Sequence, residues 1–223
     1  MNRVIENFFN QFFKKNLFIA LYQEGITPKS MMNSTVDVDG YYNWKPIKGT
    51  LKAIAYEKLQ REFKVTLPKS FISWHQRYYF FGQDCKIIKL PCSLPNRPLQ
   101  EISFLLSHEI STQLTNLELC PFAYDNYPNR LLVFDTRTAV ADQEYPIRIY
   151  EGNGSDLYGL SEVIFSSFSK LLECLTYLLE EVNERKVHEI IPNFFCIDPK
   201  GAGSTGIGYW TEIIDLEKAI DDS

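Results

Sequence analysis

The sequence predicts an α+β fold in which an antiparallel β-sheet carries helices packed on one face. Three observations lead there. Short runs rich in β-branched and aromatic residues crowd the middle of the 223-residue chain, with Pro, Asn or Gly between most of them. No helix-length segment separates these runs, so parallel crossovers have little room. On either side the apolar residues recur at helical spacing, most cleanly in SSFSKLLECLTYLLEEVNERK.

Taken in order, Ile5, Phe8, Phe9, Phe12, Phe13, Leu17, Ala20 and Leu21 predict an amphipathic helix over residues 3–23. Residues 25–50 hold Gly25, Pro28, Gly40, Pro46 and Gly49 and read as a connection with a short strand. A second helix follows Thr50 as N-cap, with Leu51, Ile54, Ala55, Leu59 and Phe63 on its apolar face. Pro68 marks the start of a third, which continues through Phe71, Ile72, His75, Tyr78 and Tyr79 until Gly82 stops it. The strand-like runs are 85–90, 101–106, 114–122, 130–136 and 146–152. In the next helix Phe168, Leu171, Leu172, Leu175, Leu178, Leu179 and Val182 form the stripe, and Ser166 or Ser167 caps its start. The last forty residues read as a strand-like FFCI (194–197), a flexible glycine-rich loop (201–208) and a short helix.

Composition narrows the function classes. The chain is 45% hydrophobic and 14% aromatic, enough for a full core. Its net charge of −5 argues against direct nucleic-acid binding, which needs Lys and Arg to displace counterions, and suits a basic protein partner. Cys85, Cys92, Cys120, Cys174 and Cys196 are odd in number and form no CxxC pair, the pattern of buried thiols in a reducing compartment. No secretory signal opens the sequence, and no run approaches the roughly 18–20 apolar residues of a membrane span. A cytoplasmic protein without membrane contact is expected.

Chemistry-bearing motifs are weak. Gly201, Gly203 and Gly206 fit G-x-G-x-x-G, but the residues after Gly208 are too few for the helix, second strand and acidic residue of a dinucleotide unit. His75, His108 and His188 lie far apart, and Cys85 with Cys92 matches no zinc spacing, so neither metal nor cofactor is expected. A thiol hydrolase would use Cys120 with His75 or His108 and Asp135. Yet Cys120 sits in a predicted strand before Pro121, away from any helix start that would lower its pKa. Nothing forms a convincing catalytic constellation.

The order of segments resembles the SUKH superfamily, which includes fungal cell-wall synthesis regulators and bacterial toxin-immunity proteins. The resemblance rests on EKLQREFKVTLPKSFISWHQ, on Gly82, on LCPFAYDNYPNRLLVFDT with its Pro-Phe, polar loop, apolar strand and terminal Asp135, and on the SFSKLLECLTYLL helix. It covers about residues 44–182, and NYPN stands where many members carry glycines. The implied organisation is an N-terminal helical extension (1–43), a SUKH-like α+β domain (44–182) and a C-terminal extension (183–223), together one unit. The resemblance implies no enzymatic activity and stoichiometric binding of a cognate toxin, often nucleic-acid-directed and therefore basic. A regulatory scaffold for an endogenous protein is the alternative.

The loop 123–130 reads as exposed polypeptide between two paired strands. Asp125, Asn126, Pro128 and Asn129 are turn formers and suffice for a plain turn. Tyr124, Tyr127 and Arg130 are the residue types enriched at binding hot spots. Asp135 either serves the partner surface or pairs with Arg130 or Arg137. Asp142, Glu144, Glu151 and Asp156 would add acidic contacts to the same surface.

Overall fold

A computed structural model describes residues 2–15, 18–81, 83–127, 130–138 and 143–222. In chain order the elements are α1 (Asn2–Lys15), β1 (Ile19–Leu21), β2 (Tyr41–Asn43), β3 (Ile47–Lys48), α2 (Ala53–Phe63), α3 (Lys69–His75), β4 (Tyr78–Tyr79), β5 (Gln83–Asp84), β6 (Ile88–Leu90), α4 (Gln100–Ser107), α5 (Glu109–Asn116), β7 (Leu119–Asp125), β8 (Leu131–Asp135), β9 (Ile147–Tyr150), α6 (Phe168–Glu181), α7 (Val187–Ile190), α8 (Phe194–Ile197) and α9 (Ile207–Asp221). The main sheet runs β5-β6-β7-β8-β9, every pair antiparallel. The α+β expectation holds.

Strand alternation divides the sheet's side chains between two layers. On the larger side lie Cys120, Phe122, Leu132, Phe134, Ile147 and Ile149. A register shift between Pro121 and Ala123 adds Ala123 to that side. Phe122 stacks on Phe134 at 3.9 Å, and Phe71 of α3 and Phe168 of α6 meet both rings edge-on. Helix α1 lies over α6 and α3, burying Phe8, Phe9 and Phe12, with Phe9 stacked on Trp74. Each such ring contributes on the order of 1.5–3 kcal/mol before chain entropy is counted.

The opposite side carries Leu119, Leu131, Val133 and Tyr150, with Leu105 of α4 and Leu114 of α5 packed on them. The expected one-sided helical layer is therefore joined by a small cover on the second face. Residues 101–106 give Leu105 to that cover and Ile102 and Leu106 to the larger core, and are helical, not a strand. Their four apolar residues among six fit either period; Ile102, Leu105 and Leu106 bury one helical stripe while Phe104 faces out. For the same reason Leu114–Asn116 close α5, and the strand begins only at Leu119.

Other expectations shift at element ends. Helix α1 stops at Lys15; Leu17 lies outside the described residues, and Ala20 and Leu21 pair with Tyr42 and Tyr41 in a small hairpin. Thr50 caps no helix. It hydrogen-bonds Tyr79 at 3.0 Å, and α2 starts at Ala53 with Tyr56 and Leu59 buried while Ile54 is exposed. Helix α3 ends at His75, and Tyr78 and Tyr79 form β4 against Ile47 and Lys48; Gly82 lies outside the described residues. Ser167, not Ser166, caps α6, its Oγ accepting from the Lys170 N–H at 3.2 Å.

The C-terminal segment departs most. FFCI is the single helical turn α8, too short a run to reveal its period. The glycine-rich stretch is a packed turn, not a flexible loop. Asp198, buried, accepts from the N–H and hydroxyl of Ser166 at 2.7 and 2.5 Å and from the Gly201 N–H at 3.2 Å. A Cβ on Gly201 would meet Ser166 N at 2.2 Å, and one on Gly203 would meet Phe195 O at 2.2 Å. That turn launches α9, whose Trp210 donates to the Ile164 carbonyl at 3.1 Å from full burial.

Candidate partner-binding surface

Asp125 ends β7 and Arg130 precedes β8, so the hairpin places them face to face. The Asp125 N–H donates to Arg130 O at 2.9 Å. Asp125 Oδ1 accepts from the Arg130 N–H and Oδ2 from Arg130 Nε, both at 2.8 Å. Burial pushes the Asp125 carboxyl up, and Arg130 and Tyr209 pull it back. Helix α9 lies alongside. The Tyr209 hydroxyl donates to Asp125 Oδ2 at 3.3 Å, and the Arg130 guanidinium lies 5.2 Å from the Tyr209 ring centre. Tyr127 donates its hydroxyl to Glu217 of the same helix.

The expectation that 123–130 is exposed is thus corrected. Asp125 is fully buried, and Tyr124, Asn126, Tyr127 and Arg130 are half-buried, because α9 covers the turn and supplies its polar partners. Asn126 Nδ2 donates to Asp84 Oδ1 and to the Lys86 carbonyl, both at 2.6 Å, tying the turn to the β5–β6 hairpin. Pro128 and Asn129 lie outside the described residues.

The remaining predicted residues divide. Asp135 pairs with Arg137 and Arg148, not Arg130: it accepts from Arg137 at 2.7 Å and from Arg148 Nε at 2.8 Å. Glu144 Oε1 accepts from the Ser70 N–H at 3.3 Å and so serves the start of α3. Asp156 Oδ1 accepts from the Tyr158 N–H at 2.8 Å within its own turn. Asp142 lies outside the described residues. Glu151 alone joins Arg130, at 3.7 Å from Nη1.

Around Arg130 the structure assembles a depression of about 350 Å³ between β9, the segment 159–162 and the first turn of α9. Glu151, Glu162 and Glu212 edge it, their side chains 67, 74 and 56% exposed. Glu212 reaches Arg130 Nη1 at 3.5 Å and Glu162 reaches Arg148 Nη1 at 3.8 Å. Sequence reasoning missed Glu162, Tyr209 and Glu212. The available signal was the 3-4 spacing of Tyr209, Glu212, Ile213 and Glu217 in a segment taken for a short helix.

A second depression, about 240 Å³, opens between α4 and strands β6–β7. Leu90, Phe122 and Ala123 line it, with Tyr124 at one side and Phe104, 65% exposed, at the other.

Of the groups weighed for catalysis, Cys120 is buried and His75 is held at both ring nitrogens. Burial pushes the Cys120 thiol up to about 12, so it stays protonated at neutral pH. His75 has one ring nitrogen 2.6 Å from the Tyr56 hydroxyl and the other 3.0 Å from the Cys92 carbonyl. Among the described residues no group of three or more His, Cys, Asp or Glu could hold a metal ion, and no helix is long and apolar enough to cross a membrane. Compared with known proteins, the chain matches no family model and no curated relative.

Proposed function

We propose that the chain is a non-enzymatic immunity-type protein that binds a basic cognate toxin and covers its working surface. The acid-edged depression at Arg130 carries this reading. Three exposed glutamates gather on one side of a molecule of net charge −5, and opposite potential speeds and orients encounter with a basic cleft. The segment order that resembles the SUKH pattern supports the same role, as do the burial of the Cys120 thiol and the commitment of His75 and Asp135 to internal bonds.

Co-expression with the product of the adjacent gene tests the proposal. The expected result is relief of that product's toxicity and co-purification as a stoichiometric complex, with association slowing as salt is raised. Persistent toxicity with no complex at any salt concentration would overturn it.

A further inference from the structure

One edge of the small β1–β2 hairpin is open, and its chemistry fits a copy of itself. We infer that two chains associate through β1, antiparallel about a two-fold axis at Ala20, into a four-stranded sheet β2-β1-β1-β2. The inference stands apart from the toxin-binding reading.

The ladder fixes which backbone groups face outward. The Tyr22 N–H donates to Gly40 O at 2.8 Å and the Trp44 N–H to Phe18 O at 2.7 Å. Ile19 pairs with Asn43, Ala20 with Tyr42 and Leu21 with Tyr41. Hydrogen-bonded and non-bonded pairs alternate in an antiparallel ladder, so Phe18, Ala20 and Tyr22 bond to β2. The N–H and C=O groups of Ile19 and Leu21 then point away from it. On β2 the corresponding groups are all met. The Asn43 N–H donates to Ser34 Oγ at 2.9 Å and the Tyr41 N–H to Asp37 Oδ1 at 2.8 Å. The Asn33 and Asp37 N–H groups donate to Asn43 O and Tyr41 O, both at 2.8 Å. Nothing among the described residues does the same for β1, which pairs with β2 alone. Sheets ordinarily blunt such an edge with a charge, a proline or a bulge. Residues 18–22 carry no charge and no proline, and their register with β2 is unbroken.

A second copy meets this edge in three ways. A two-fold axis at Ala20 sets Ile19 opposite Leu21 of the other copy on both sides, so every outward N–H and C=O of both strands finds a partner. The same pairs bring aliphatic side chains together, and Ile19 and Leu21 are 51 and 52% exposed in the single chain. Ala20, with the smallest side chain of the strand, lies at the axis. Charge agrees as well. Lys14 and Lys15 close α1 just before β1, and the exposed Glu24 follows it. Antiparallel pairing brings the basic end of one strand toward the acidic end of the other, whereas parallel pairing would set like with like. A foreign strand meets the backbone groups equally well; the matched aliphatic pairs and end charges single out the chain itself.

Sedimentation velocity of the full chain from about 5 to 500 µM tests this, with reductant present because Cys196 is exposed. The mass should rise from 26.0 kDa toward twice that value. As it rises, the Ile19 and Leu21 amides should exchange with deuterium at least about three-fold more slowly. Ile19→Lys/Leu21→Lys sets like charges opposite each other and should weaken association at least about ten-fold, with the melting temperature of the dilute chain unchanged. Ile19→Lys/Leu21→Glu sets opposite charges together only when residue 19 faces residue 21 across the axis, and should associate within about three-fold of the parent. A chain that stays monomeric throughout, a dimer indifferent to the double lysine variant, or a Lys/Glu variant that fails to associate would each sink the inference. Protection of the two amides that arises only with a co-expressed toxin bound would give the edge to that partner instead.

Discussion

Asp125 holds Arg130 at two points, taking its backbone N–H on Oδ1 and its side-chain Nε on Oδ2, each at 2.8 Å. One carboxylate thereby ties the ends of β7 and β8 together and fixes the guanidinium. Both side chains are almost out of water, so losing one partner strands the other. Asp125→Ala should cost about 3–5 kcal/mol of folding stability in urea denaturation. Asp125→Ala/Arg130→Met should recover part of that loss. A double variant as unstable as the sum of the two single variants would show that the pair is not coupled.

His75 sets the first acid-sensitive window. Burial holds its imidazole down at about 4 against an ordinary 6.5, the Cys92 carbonyl opposing weakly. As pH falls from 6.5 to about 4 the unfolded chain takes up a proton that the folded chain does not. Stability is therefore complete above 6.5 and falls through that window by on the order of 3 kcal/mol. Urea midpoints measured across this range should show the slope, and His75→Gln should flatten it.

Asp135 governs a lower window. Burial alone would raise its carboxyl, but hydrogen bonds and charge from Arg137 and Arg148 outweigh burial and leave it below the ordinary 3.8. Its contribution is present above 3.8 and lost as pH drops through the lower folded value. Arg148→Gln should move the acid-unfolding midpoint to higher pH, as followed by near-ultraviolet circular dichroism.

Gly203, inside the C-terminal turn, and Gly208, in the first turn of α9, should respond oppositely to alanine. At Gly203 the new Cβ would strike the Phe195 carbonyl at 2.2 Å, and a loss of about 1–3 kcal/mol is expected. At Gly208 it meets nothing, and a gain of about 0.5 kcal/mol is expected. Thermal unfolding of the two variants gives the comparison directly.

Thiol reactivity should follow burial. Cys196 is exposed, whereas Cys85, Cys92, Cys120 and Cys174 are buried and their thiols are pushed up. Brief iodoacetamide treatment of the native chain should label Cys196 alone, read by peptide mass spectrometry.

What the sequence revealed follows from length and period. The Phe168–Val182 stripe is long enough to declare its 3.6-residue repeat, and Ser167 supplies a capping oxygen, so α6 was legible. The β7–β8 hairpin was legible from its apolar runs and turn formers. EISFLL and FFCI were not, since four apolar residues within a stretch of four to six have no distinguishable period. The site was half legible. Asp125, Arg130 and Glu151 lie in or beside the hairpin, but Tyr209 and Glu212 come from a helix about eighty residues further on, a contact no local pattern encodes.

That long-range contact has a temporal side. A ribosome delivers Asp125 and Arg130 well before Tyr209, and the sheet assembles from segments that have already emerged. Until α9 docks, Asp125 lacks its phenolic partner and the Glu212 edge is missing. A nascent chain can thus own a finished sheet while the buried Asp125–Arg130 pair still waits for the cover that α9 brings.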